Sequence, residues 1–526
     1  MKQTIRKLLL PSLASALLLS GVNALALDSV DCGPDGIKPV SFDCTSTDVS
    51  HNECVALVSF YACADGDNWR GNAWLSSQNA CNWGGVNCQA DASGRPTVVD
   101  INAYHSGING VIPPSISQLS NLKSLVLEGG TLTSLPDSLG QLYNLETLRL
   151  RNFDLNAVPA SIFNLGKLSS LNLSANNISQ LPSNISGLGN KLLELDVSLN
   201  DLNSVPPGLG YLHQLRELNL SGNPLSTLPN EFAQLSNLRE LRLSRFFDVL
   251  PESVTQLSNL SGLYITGSWV FTPEAQFLNG SLQAIPDSIS NLQNLKVLNI
   301  SGQQLTELPS SIGMLGNLST LHVQGNQLNA LPDSIGDLSK LFEIRISDNL
   351  LTSLPASMGQ LSELRNLHVG ENPTLNSAFP ESFLGLNNLS LIRFADTGLC
   401  VPAALSNSFN AWFATLSVNG TIQLCDPIIT DGDNDGVADD VDACQDTPAG
   451  SEVDGSGCSI NADQCADINV YPNWTTKDWA GGEPTHNEPG DPMVYQGAAY
   501  TANYYTTSIP GSDGSWSFLK SCSTAN

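Results

Sequence analysis

The chain has 526 residues, too many for one hydrophobic core, so several domains are expected. Its 22 basic and 50 acidic side chains give a formal charge of −28, a field that repels nucleic acid and anionic lipid because phosphate binding needs a cationic footprint. Calcium, polycations and neutral polysaccharide remain as compatible partners.

Residues 1–26 read as a signal peptide. Lys2, Arg6 and Lys7 precede an apolar run from Leu8 to Leu19, and Ala24-Leu25-Ala26 offers a small-residue cleavage site. The run is too short and too early for a mature anchor, and no later stretch reaches the ~20 apolar residues of a membrane span. The 12 cysteines all follow it and none falls between 88 and 400. In an exported chain without paired CxxC spacing they read as disulfides, not zinc ligands.

Residues 27–97 form an N-terminal region and cap. The run ALVSFYACADGDNWRGNAWLSSQNACNWGGVNC resembles the N-terminal cap of plant-type and bacterial leucine-rich-repeat proteins. That resemblance implies that Trp69, Trp74 and Trp83 cover the first repeat and that Cys81 and Cys88 close the cap. A ligand-stacking role for these rings is the alternative, with cap packing favoured.

Residues 98–399 repeat themselves, about twelve units and a partial one, starting at Val98, Leu122, Leu145, Leu168, Leu192, Leu215, Leu238, Leu260, Leu295, Leu318, Leu341, Leu364 and Leu389. A clean copy is LRELNLSGNPLSTLPNEFAQLSN, from Leu215 to Asn237. Its LxxLxLxxN-x-L pattern, followed by LP, matches the leucine-rich repeat. Leu215, Leu218 and Leu220 point inward from a short strand, Asn223 bonds neighbouring backbones at the turn, and Leu225, Leu228, Phe232 and Leu235 fill the core from the other side. One unit cannot bury its own apolar face, but a stack can. The expected fold is an α/β leucine-rich-repeat solenoid: a curved parallel sheet with short helices or turns on the convex side, capped at both ends, plus a small all-β C-terminal domain.

Residues alternating with the inward leucines would line the concave sheet. One column reads Asn102, Val126, Arg149, Asn172, Asp196, Asn219, Arg242, Tyr264, Asn299, His322, Arg345, His368 and Arg393. The centre is irregular. The unit from Leu260 runs to Leu295 and carries an insertion of about a dozen residues containing Trp269, and its neighbour reads LRLSRFFDVLP. Arg149, Arg242, Arg245, Phe247, Tyr264, Trp269, His322 and Arg345 are the candidate ligand patch, rich in the residue types of binding hot spots; the alternative is that the insertion covers a gap in the ladder. Residues 400–428, with Cys400, Trp412 and Cys425, read as a C-terminal cap.

Residues 429–460 contain ITDGDNDGVADDVDACQDTPAGSEVDGSGC. Counted from Asp431, the carboxylates of Asp431, Asp433, Asp435, Asp439 and Asp442 occupy positions 1, 3, 5, 9 and 12 of a calcium loop, with Gly436 at six and the Val437 carbonyl at seven. Hard oxygens at that spacing wrap one Ca2+. The stretch resembles a single thrombospondin type 3 repeat, which implies a Cys444–Cys458 bridge and a stiff spacer; Asp442 in place of a bidentate Glu at position 12 implies weak calcium affinity.

Residues 461–526 lose leucine and gain aromatics. The run GDPMVYQGAAYTANYYTTSIPGSDGSWSFLKSC resembles a chitin-binding type 3 domain (carbohydrate-binding module families 5 and 12). The resemblance implies a small disulfide-closed β fold that stacks exposed rings on N-acetylglucosamine units. Tyr504 and Tyr505 replace the usual Trp-Trp pair, with Tyr500 and Trp516 beside them, either as ligand contacts or as core. Strand alternation sends one of Tyr504 and Tyr505 in and the other out.

No GxSxG, HExxH or phosphate loop occurs, and the six histidines are scattered, so an enzyme is not expected. The reading is a secreted, non-catalytic binding or adhesion protein, of bacterial type, free or at the cell surface. Its C-terminal module would bind chitin or a related polysaccharide, and its concave face an unknown protein or glycan. The alternatives are an envelope-associated protein-binding scaffold without glycan binding, and an accessory subunit of a polysaccharide-degrading system.

Overall fold

The computed structural model describes residues 27–69, 73–189, 191–243, 247–266, 268–269, 277–278, 280–425, 492–495, 498–503 and 516–521. The stretch expected to be a signal peptide and the expected calcium loop, with Asp431, Asp433, Asp435, Val437, Asp439 and Asp442, lie outside the described residues. So do Tyr504, Tyr505, Arg245 and the side chains of Trp269 and Trp516. The chain forms two compact units, 1–424 and 425–526.

The first unit is a solenoid built on a 15-stranded sheet whose strands follow chain order. Its first strand, Val86–Ala90, pairs antiparallel with Pro96–Gly110. From there on every neighbour is parallel, down to Ser417–Asn419. Most strands are three residues long, as Glu217–Asn219 and Glu343–Arg345 are. The convex side carries one-turn 3-10 helices, each opened by a proline such as Pro332 before Asp333–Asp337, where its fixed φ suits the entry and its missing N–H leaves no donor unpaired. Neighbouring turns press together so closely that a Cβ on Gly336 would overlap the backbone of Ser357.

The core is one continuous stack. Leu215, Leu218, Leu220, Leu225, Phe232 and Leu235 are all buried, as the repeat pattern requires. Where the chain turns after each strand, the ladder amide replaces the water that the backbone loses. Asn223 Nδ2 donates to the carbonyls of Leu220 and of Val197 in the preceding unit, both at 3.0 Å, and its Oδ1 accepts the Leu202 N–H at 3.0 Å. Asn200, Asn326, Asn349 and Asn372 repeat these bonds.

Two irregularities have local causes. The unit after the insertion replaces Asn by Gln303, whose longer side chain reaches Ile265 O at 3.2 Å and the Leu282 N–H at 3.3 Å. Within the insertion, Ser268–Trp269 pairs antiparallel with Phe277–Leu278. The unit from Leu238 to Leu260 is one residue short of the usual spacing, which draws Phe247 onto the buried column that Leu225 occupies one unit earlier. Phe247 is 1% exposed. It belongs to the core and not to the ligand patch expected from the sequence.

Both ends of the stack are closed. In the N-terminal cap the helix His51–Cys63 starts with a capping box between Ser50 and Glu53. The buried Glu53 carboxylate also accepts the Thr97 hydroxyl and, at 3.0 Å, the Val98 N–H, tying the helix to the start of the repeats. Disulfides link Cys32 to Cys63, Cys44 to Cys54 and Cys81 to Cys88. Trp412 packs with Phe409 and Phe413 at the far end, and Cys400 and Cys425 are both disulfide-bonded. In the second unit, Pro492–Tyr495, Ala498–Ala502 and Trp516–Ser521 form a three-stranded antiparallel sheet. No helix among the described residues is long and apolar enough to cross a membrane.

Candidate functional site

In strands this short, alternate residues face opposite sides, so the residue between two core leucines must face the concave side. Parallel register then stacks these residues across the sheet. Asn102 pairs with Val126, Val126 with Arg149, Arg149 with Asn172, and so on without a slip to Arg242, Tyr264, Asn299, His322, Arg345, His368 and Arg393. Asn419 extends the column by one strand.

Three parts of this face differ chemically. Toward the N-terminus, Arg149 and Arg242 flank a recess of about 200 Å³ whose polar walls include Asn172, Glu194, Asp196 and Glu217. In the centre, the Arg242 guanidinium lies 4.7 Å from the Tyr264 ring centroid and 3.0 Å from the Glu240 carboxylate. Burial, then the Glu240 charge, pushes the Tyr264 hydroxyl above its ordinary range. Tyr264 therefore stays a neutral donor and a flat face for stacking.

Toward the C-terminus, Glu343 organises the surface. Its Oε1 accepts His322 Nε2 at 2.9 Å and Arg345 Nε at 2.6 Å, and its other oxygen accepts Asn366 at 3.3 Å. Burial alone would raise this carboxyl, but the hydrogen bonds and the Arg345 charge hold it below the usual range. His322 is held below the ordinary histidine value by burial, with the Arg345 charge adding to it and the Glu343 bond opposing it. His368 is held down by burial and then by Arg345 and Arg393. Both rings are thus neutral at pH 7, and His322 offers its Nε2–H to Glu343.

The structure brings Arg149, Arg242, Tyr264, His322 and Arg345 onto one face and removes Phe247 from it. Glu343, Glu194 and Glu217 were missed. They sit two residues before the column, on the same side of the sheet, and the period of two that picked out the column also marks them. The cap tryptophans form no ligand platform. Trp69, Trp74 and Trp83 are buried, and their ring N–H groups donate to Ala64 O, Gly84 O and Ser77 O. Among the described residues no group of three or more His, Cys, Asp or Glu side chains is placed to hold a metal ion. In the C-terminal module, Tyr500 is half-buried against Met493 and Ala502, which makes it at least partly core, and the Trp516 backbone pairs with Ala502.

Parts of both units match known families. Residues 112–188 and 190–245 match the family "Leucine rich repeat", and residues 276–412 match "Leucine-rich repeat region". Residues 462–523 match "Cellulose-binding domain". A stretch of 58 residues is 66% identical to Endoglucanase Z of Dickeya dadantii (strain 3937), covering 11% of this chain and 14% of that protein. The crystal structure of PEPR1–AtPEP1 aligns at 25% identity with a TM-score of 0.51, over 70% of this chain and 55% of that one. A leucine-rich-repeat protein of Leptospira interrogans aligns at 28% identity and a TM-score of 0.41, over 59% of this chain and 88% of that one. The chain thus joins a leucine-rich-repeat solenoid to a C-terminal carbohydrate-binding module of the 5/12 type.

Proposed function

We propose that this chain is an exported, non-catalytic binding protein that attaches to polysaccharide through its C-terminal module and holds a partner polypeptide on the concave face of its solenoid. The observation that carries this reading is the unbroken outward column from Asn102 to Asn419, which gives a long, polar, ring-bearing surface with every inward position spent on the core. The matched regions are binding modules, and the likeness to Endoglucanase Z is confined to the segment that resembles such a module. Chitin is the preferred ligand on the GDPMVYQGAAY pattern, with cellulose supported by the description of the matched family. Tyr505, ahead of Tyr504, is assigned the stacking contact, with Trp516 as a further candidate contact.

Full-length protein should be retained on insoluble chitin or cellulose, and Tyr504→Ala with Tyr505→Ala should release it, because the double change removes whichever ring stacks on the sugar, a contact worth about 0.5–1.5 kcal/mol beyond its buried area. Wild-type protein that washes through both supports would leave only the scaffold reading. Calcium belongs to the same proposal, with Asp431, Asp433, Asp435, Asp439 and Asp442 as carboxylate donors and Val437 as the carbonyl donor that would stiffen the spacer between the two binding parts. A calcium-dependent rise in melting temperature should vanish when Asp431→Ala and Asp435→Ala are combined; a rise that persists removes the site.

A further inference from the structure

Charge is not spread evenly along the concave face. The strands Glu194–Asp196, Glu217–Asn219 and Glu240–Leu243 present Glu194, Asp196, Glu217 and Glu240 against a single arginine, Arg242. The strands Thr320–His322, Glu343–Arg345, Asn366–His368 and Leu391–Arg393 reverse this. They present Arg345 and Arg393, with His322 and His368 between and beside them, against one acid, Glu343. That acid is already taken by His322, Arg345 and Asn366. In a chain of net charge −28 a strip of sheet with surplus positive charge is an exception. Neither arginine is consumed by folding. Arg345 is still 44% exposed despite its one bond to Glu343, and Arg393 is exposed with no ion pair among the described residues.

We propose that the strip His322–Arg345–His368–Arg393 docks an acidic segment of an extended polypeptide partner laid across the strands. This rests on the reading of the concave sheet as a partner surface. Strands lie about 4.8 Å apart, so the four positions span roughly 14 Å, the length of about four extended residues whose alternate side chains face the sheet. Two carboxylates on such a segment meet Arg345 and Arg393, and the neutral histidines accept or donate beside them. A uniform polyanion such as a uronic-acid chain fits less well. Any length beyond the strip would run onto Glu240, Glu217 and Asp196, whereas a polypeptide can change sign along its length. Tyr264 and Asn299, a hydroxyl and an amide that both donate and accept, lie on the two strands between the charged stretches.

The test uses full-length protein and a fluorescein-labelled decapeptide, Glu-Ser-Glu-Ser-Asn-Ser-Lys-Ser-Lys-Ser (the Glu–Ser peptide), which changes sign along its length, followed by fluorescence anisotropy at low and physiological salt. A Lys–Ser decapeptide and an oligogalacturonate of matched length are the comparison probes. The Glu–Ser peptide should bind best, weaken with salt, and lose about tenfold or more in the R345Q/R393Q variant, as for a pair of charge-assisted contacts, while the melting temperature stays put. Equal binding by wild type and variant, no binding by wild type, or preference for the oligogalacturonate or the Lys–Ser peptide overturns the proposal. A second pair, Arg242→Ala with Tyr264→Ala, separates the two readings. Peptide binding lost only in that pair would move the contact to the centre of the face, overturning the strip and keeping the partner surface; binding that neither pair reduces sinks both.

Discussion

The two faces of the long sheet are made from alternate residues of the same short strands, and they obey different constraints. Inward, Leu321, Ile344 and Leu367 follow one another across three strands with scarcely any variation in size, and all are buried. Outward, His322, Arg345 and His368 share those strands and change chemistry from one to the next. A stacked interior tolerates only what interdigitates with the unit before and after it. The outer face has no such neighbour to satisfy, so its composition is free to serve a partner. That contrast is why an acidic chain can hold a cationic strip without a fold-level reason for it.

The comparison breaks most visibly if one inward and one outward residue of the same unit are removed in turn. Asn349 donates to Val323 O, Ile346 O and Ser347 O at 3.0–3.2 Å, and accepts the buried Leu328 N–H at 3.0 Å. Asn349→Ala orphans that donor and strips three carbonyls of a partner, so about 3 kcal/mol of stability should be lost, at ~1–3 kcal/mol per buried orphan. Arg345→Gln, four residues away, should stay within about 0.5 kcal/mol, as surface changes do. Urea unfolding of the two variants measures both. An Arg345→Gln protein destabilised as much as Asn349→Ala would mean that the concave column is structural, and the functional reading of this face would fall with it.

Most of this was legible in the residues because two periods coincide in them. The leucine spacing of 23 residues sets the stack, and the alternation within each strand sets the column, so Asn102 to Arg393 could be placed side by side before any coordinate was known. The misplacement of Phe247 follows from the same logic. A one-residue deletion between Leu238 and Leu260 shifts the core position by one, and a tally of residue types in a patch does not register that shift. Glu343 was overlooked for another reason: acids are so common in this chain that one more carried no signal until its three hydrogen-bond donors were seen together. The cap tryptophans could be read correctly because a chain end must cover the first unit, whatever ligand is present.

The smallest effect, and the sharpest on the outer face, comes from pH. His322 and His368 both sit below the ordinary histidine value of 6.5, chiefly through burial, with Arg345 acting on both and Arg393 on His368. The groups facing them are Glu343, Arg345, Arg393 and each other, since Asn299 on the strand before is uncharged. A histidine whose folded pKa is depressed adds stability that is complete above its unfolded value and is lost as pH falls through about 6.5 toward the folded one. Glu343 is also depressed, from 4.5, so its contribution persists until the solution is more acidic than that. Between pH 7 and 5 the urea midpoint of wild type should therefore fall more than that of a variant carrying His322→Gln and His368→Gln, the difference isolating these two rings from the other histidines. Acid should act on binding in the opposite sense. Protonation adds up to two charges to the strip, so an acidic peptide should bind more tightly at pH 5.5 than at 7.5 in wild type and show a flatter profile in the double glutamine variant. Stability curves that run parallel, together with peptide affinity that does not respond to pH, would show that the rings only fill space on the outer face.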